Sequence, residues 1–191
     1  MMAGLGHNGG PVIEPGQSWR RTCWVQAREQ LLPRLPIEVV RLRVKRAKEI
    51  GLDYKTYAGV RAATGHDIVA FLFSNNALRL LKDGDRVREA DAEKVAAARN
   101  LGKLLAAQPP LDPQRTLSAL NQQGVTMDAA IRAPGLAETW GETRAVLRAF
   151  LAENRHPADR VLLIGETALE RDWVSATRMA GFLPASQYFA P

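Results

Sequence analysis

The stretch "HDIVAFLFSNNALRLL", residues 66–81, has two readings, and they lead to different folds. As a helix, it starts on Asp67 as N-cap and turns Ile68, Phe71 and Leu72 inward, following a tight Gly65-His66 turn. As a strand, 68–73 is a continuous apolar run rich in β-branched and aromatic residues, the pattern of a strand buried on both faces. Periodicity cannot separate the two over so short a run. The expected architecture is a helix-rich α+β single domain with a small α/β element near the C-terminus, built on a strand at 160–165 with 67–74 as its possible partner strand. The alternative is a nearly all-α chain with a helix-turn-helix-like unit at 53–74.

Upstream, "IEVVRLRVKRAKEIG" alternates apolar and basic residues as a strand would, but the longer window favours a helix. Ile37, Val40, Val44 and Ala47 keep helical spacing, Pro36 suits the first turn and Gly51 supplies the stop. Arg41, Lys45 and Lys48 then share another face. The next segment, 53–65, reads as a short helix capped by Asp53 and ended by Gly65. An earlier helix is expected after Ser18, ending before Pro33.

Downstream, "EADAEKVAAARNLGKLLAAQ" reads as one alanine-rich helix with Val95, Ala98, Leu101 and Leu105 on one side. A short helix is expected from Pro113 to about Gln123, with a turn or brief strand at "GVTM" and irregular chain through Gly135. "TWGETRAVLRAFLAEN" reads as a helix burying Val146, Leu147, Phe150 and Leu151. "RVLLIGE" is the clearest strand. It feeds a helix over 167–180 that begins with a Thr167/Glu170 capping box and carries the stripe Leu169, Trp173, Ala176 and Ala180.

In outline, 1–17 is expected to be a flexible leader, 18–107 a basic helical region, 108–113 a proline linker, and 114–191 a helix-rich region packed with 18–107 as one domain. The leader contains Gly4, Gly6 and Gly9 at G-x-G-x-x-G spacing, but no strand precedes them, and Pro15 and Gly16 fall where a helix would have to follow.

Charge is unevenly spread. The net charge is +6. Residues 20–61 hold 11 Lys and Arg against 4 Asp and Glu, whereas 109–191 hold 8 against 9. Such a concentration is the electrostatic footprint expected for nucleic acid, or for an acidic protein. Trp19, Trp24, Tyr54 and Tyr57 in the same window could pack in the core or stack on bases. On this reading the chain is a non-catalytic binding or regulatory protein whose nucleic-acid contacts are Arg41, Arg43, Lys45, Lys48, Lys55 and Arg61. The second reading of the same window is an adaptor for an acidic protein partner.

The single cysteine, Cys23, allows neither an internal disulfide nor a thiolate cluster, which suits a reducing, cytoplasmic setting. No apolar run is long enough to span a bilayer, so no membrane partner is expected. His7, His66 and His156 lack metal-ligand spacing, and no cofactor or metal is expected. Neither a G-x-S-x-G elbow nor a P-loop occurs.

The unit 160–180 supports a further alternative. A strand ends in Gly165-Glu166, and Glu170 and Asp172 follow within a turn or two, while Ser74 closes the apolar run "AFLFSNN". This resembles the last motif of the haloacid dehalogenase-type phosphatases. The resemblance implies a phosphate-directed enzyme with a divergent site at Ser74, Gly165 and Glu166. Ser74 and backbone N–H groups would hold the phosphate, and carboxylates would grip Mg²⁺. The nucleophile of that family is the first Asp of a D-x-D at the end of an early strand, and no D-x-D precedes Ser74. The simpler explanation of Glu166, Glu170 and Asp172 is an acid-rich helix N-terminus, where the helix dipole favours them. The two classes are separable: an enzyme needs Ser74 and Glu166 at one edge of one sheet, on parallel neighbouring strands, whereas a binder needs the cations of 41–61 exposed on a common face.

Overall fold

Within 66–81, Ala70–Ser74 is a strand, and that strand is the centre of a sheet. The computed structural model describes residues 35–190. The leader, the helix expected after Ser18, and Trp19, Trp24 and Cys23 lie outside the described residues. The chain divides into two compact units, 1–40 and 41–191. Of the first, only 35–40 are described, and they hold the start of helix α1 (Ile37–Glu49).

The elements then run α2 (Tyr54–Thr64), β1 (Ala70–Ser74), α3 (Glu89–Ala97), β2 (Gly102–Ala107), α4 (Pro113–Gln122) and β3 (Ala129–Arg132). They continue with α5 (Trp140–Glu153), a 3₁₀ turn (Ala158–Arg160), β4 (Val161–Gly165), α6 (Ala168–Thr177), β5 (Gly181–Pro184) and α7 (Ala185–Tyr188). The five strands form one sheet in the order β3-β2-β1-β4-β5. Every pairing is parallel, with Leu72 between Leu104 and Leu163. The expectation of a helix-rich α+β domain is therefore corrected: this is a doubly wound α/β fold with a five-stranded parallel sheet. The helix-turn-helix alternative is corrected with it, because Ala70–Ser74 is strand where the motif needs its second helix.

Helices cover both faces of the sheet. Phe71, Phe73, Leu105, Leu162 and Ile164 pack on one side with Ala47 of α1, Ile50 just after it, Tyr57 of α2, Val95 of α3 and Leu120 of α4. Ala70, Leu72, Leu104, Val161 and Leu163 pack on the other with Leu147 and Leu151 of α5 and Trp173 of α6. Every residue of β1 and β4 is buried, which explains the unbroken apolar runs: a parallel strand covered on both sides has no solvent face to mark with polar residues.

Two strands interrupt segments expected to be continuous. The alanine-rich helix stops at Ala97, Asn100 takes a left-handed conformation (φ 55°), and the chain then becomes β2. Alanine favours helix only weakly as a prior, and pairing between β1 and β3 decides the matter for Leu104–Ala107, all of them buried. β3 starts at Ala129, just past "GVTM", and β5 is a four-residue edge strand. Local signals hold where they are covalently close. Asp53 caps α2 through Thr56 N, and Gly65 ends it at φ 76°. Thr167 and Glu170 make the expected capping box.

Candidate active site at the carboxyl edge of the sheet

In an open parallel sheet, side chains and N–H groups gather beyond the carboxyl ends of the strands. A crevice opens where two neighbouring strands send their connections to opposite sides. Here that place lies between β1 and β4: the chain leaves β1 toward β2 and leaves β4 toward β5. The residues following the two strands are Ser74-Asn75-Asn76 and Glu166-Thr167, with Glu170 one helical turn further on.

The β1 loop is tightly pinned. Ser74 is fully buried, and its Oγ accepts from Ala77 N at 3.0 Å. Asn75, also buried, donates from Nδ2 to Leu80 O at 2.8 Å and accepts at Oδ1 from Gln108 N at 3.0 Å. Asn76 Nδ2 donates to Glu170 Oε1 at 2.8 Å and to Gln108 Oε1 at 3.1 Å. Three loops, those after β1, β2 and β4, are thereby joined through side-chain amides.

Glu170 is the acid at the centre of this network, and it is fully buried. Its Oε2 accepts from Glu166 N at 2.6 Å and from Thr167 N at 2.9 Å, and Oε1 accepts from Asn76. A buried carboxylate without a cation is tolerable only when its lone pairs are met by N–H donors, and here the start of α6 supplies two of them. Gly165 is required by the same geometry. A Cβ there would lie 2.8 Å from Glu170 Oε2 and 2.7 Å from a ring carbon of Phe182.

Beside this network lies a cleft of about 300 Å³ lined by Ala77, Arg79, Arg88, Glu166, Ser186 and Phe189, among others. Glu166 and Arg79 are exposed and make no ion pair among the described residues. Arg88 is held in a bidentate pair with the buried Asp91, Nε to Oδ2 at 2.8 Å and Nη2 to Oδ1 at 3.1 Å.

The carboxylates do not fit a Mg²⁺ ion. Such an ion is held by one or two carboxylates together with substrate phosphates. Both oxygens of Glu170 already face N–H donors, the Asn76 amide stands where a second acid would be needed, and Asp172 is exposed on α6 without a recorded partner. Among the described residues no group of three His, Cys, Asp or Glu side chains could hold a metal.

The expected phosphate-site residues Ser74, Gly165 and Glu166 stand at the ends of β1 and β4, and in register Phe73 lies opposite Ile164. Only Glu166 reaches the cleft, since Ser74 points into the protein. Among the described residues β1 is also the first strand in the chain, and it ends in Ser74-Asn75-Asn76, with no carboxylate.

The basic window is distributed differently from expectation. Lys45, Lys48 and Lys55 are exposed, as is Arg41, which has a partner. Arg43 is half-buried with its Nε sequestered, and Arg61 is half-buried 4.0 Å from Asp67. Arg46 binds Asp67 and Glu49 at 3.0 Å each and reaches the carbonyls of Ile68 and Asn100. Of the basic window, Arg46 thus straps α1 to the lead-in of β1 and Arg61 stands near the same Asp67, while Lys45, Lys48 and Lys55 are exposed. The reading as a non-catalytic nucleic-acid-binding regulator is corrected: within 67–74, Ala70–Ser74 is strand and lies parallel beside β4, the arrangement that favours the enzyme alternative.

Sequence reading missed Asn76, Gln108, Arg79 and Arg88. The pair of amides directly after a buried apolar run was a usable signal for Asn76. Gln108 was hidden in a segment read as a linker.

No family model matches the chain, and no curated protein matches it. Among solved structures, it is similar to a protein described as a "putative had-like phosphatase" from Mesorhizobium loti, at 13% identity and a TM-score of 0.39, over 61% of this chain and 70% of that one. Likeness at that level transfers neither site nor activity. Among the described residues no helix is long and apolar enough to cross a membrane.

Proposed function

We propose that this chain is a phosphate-directed enzyme acting on a small phosphate monoester at the β1/β4 edge. The observation that carries this reading is the meeting of the β1 and β4 loops at the topological switch point, with Asn76 bonded to Glu170 and the cleft opening beside Glu166. Clefts at such points are the usual ligand sites of doubly wound sheets.

A covalent route has no foothold. Ser74 Oγ is buried and accepts a backbone N–H, with no base beside it. Direct hydrolysis fits the residues better. A water oxygen bonds to phosphorus, the ester P–O bond breaks, and Glu166 takes the proton of the water and passes it to the departing alkoxide. Glu170 acts on Glu166 only by fixing its backbone N–H.

The test is a panel of phosphate monoesters assayed for released phosphate. Glu166→Gln should lower kcat about 10²–10⁴-fold, the range of a lost general base, while circular dichroism stays unchanged. Ser74→Ala should retain turnover. An active wild type whose Ser74→Ala variant is dead would transfer the chemistry to a covalent serine. No turnover of any panel member would remove the enzyme reading.

A further inference from the structure

The cleft lets the mode of phosphate capture be specified, an inference that rests on the phosphate-directed reading above. We infer that the phosphate group is held by the guanidinium groups of Arg79 and Arg88, without a divalent cation.

A phosphate monoester carries close to two negative charges at neutral pH, and a site that takes it from water must replace that hydration with cations and N–H donors. One route, a metal bridge, is closed here. Of the carboxylates at this edge, Glu170 has both oxygens committed to Asn76, Glu166 N and Thr167 N, which leaves Glu166 as the one acid lining the cleft. The other route is already built. Arg79 and Arg88 line the same cleft, and both are fixed at the backbone or the head group.

Arg79 sits in the left-handed region at φ 57°, a conformation uncommon for a side chain of its size. It is held there by its own N–H on Asn76 O at 3.0 Å and by the clamp of Asn75 on Leu80, one residue later. The same loop that ties Asn76 to Glu170 therefore presents Arg79 to the cleft. Arg88 has two guanidinium nitrogens occupied by the buried Asp91, and Nη1 carries no recorded bond. A head group immobilised in this way loses little entropy on meeting an anion, and guanidinium geometry matches phosphate oxygens.

The rest of the lining defines the remainder of the ligand. Phe189 and Ala77 supply apolar surface, and Ser186 supplies a hydroxyl. About 300 Å³ accommodates a phosphate with a small apolar or aromatic group, at the lower end of ligand-site sizes.

Calorimetric titration of the full chain with phenyl phosphate and with inorganic phosphate, once in EDTA and once in excess Mg²⁺, tests this. Saturable binding in EDTA is expected, with a Kd changed less than about two-fold by Mg²⁺ and weakened about ten-fold or more by Arg79→Gln. Arg155→Gln, at the opposite end of the sheet, should bind as the wild type does. Arg88→Gln should also weaken binding. Should that variant unfold because Asp91 loses its partner, Arg79→Gln alone decides. Binding that requires Mg²⁺, or that survives Arg79→Gln unchanged, would overturn the inference while leaving the phosphate-directed reading in place. No binding of either probe in either buffer would overturn that reading itself.

Discussion

Helix α1 carries Arg41, Arg43, Lys45, Arg46 and Lys48 within thirteen residues, the densest charge in the described chain. The carboxyl edge at β1 and β4 carries one buried acid, one exposed acid, two asparagines and a glutamine, contributed by segments up to 94 residues apart. The helix looks more functional in sequence, yet its best-placed cation, Arg46, is used to join α1 to Asp67, Ile68 and Asn100. At the edge, modest residues converge, and each bond restricts another. Density of charge along a chain measures composition. A site needs groups from separate segments aimed at one volume, and only the sheet provides that here.

Three variants probe this contrast, beyond those already given. The largest effect should come from the sheet that creates the edge. Leu163→Asp in β4, fully buried between both layers, forces an unpaired carboxylate into the core and should cost several kcal/mol. Chemical denaturation measures it, and a variant of near-wild-type stability would mean that β4 is not the buried strand described.

Next in size is Asn76→Leu, which removes one donor from the buried Glu170 and so cuts the side-chain link between the β1 loop and α6, while Asn75 still holds the β1 and β2 loops together. Leaving a buried charged acceptor short of a partner should cost about 1–3 kcal/mol. If the edge network organises the cleft, phosphate binding should weaken along with stability. Loss of stability with binding intact would show that the network is structural support only.

The smallest effect is expected on the helix. Replacing Lys45 and Lys48 together by Gln keeps good helix formers at exposed positions and should change stability by less than about 0.5 kcal/mol, with phosphate binding unaltered. A clear loss of phosphate affinity in that variant would erase the distinction between the two regions.

The sequence by itself determined whatever depends on neighbours within a few residues. Asp53 and Gly65 bound α2, Thr167 and Glu170 open α6, and the apolar run before Gly165 is a strand. Those signals are caps, turns and burial patterns, whose energies are set between residues close along the chain. The tertiary structure alone decided that Ala70–Ser74 is strand, that an alanine-rich segment breaks before Asn100 to form β2, and that β3 and β5 exist at all. It also decided that Asn76, Gln108 and Glu170 meet. Parallel strands are paired across long crossovers, so a strand's partners leave no mark in its own residues. A buried run such as "AFLF" satisfies helix and strand equally until a neighbouring backbone accepts its hydrogen bonds.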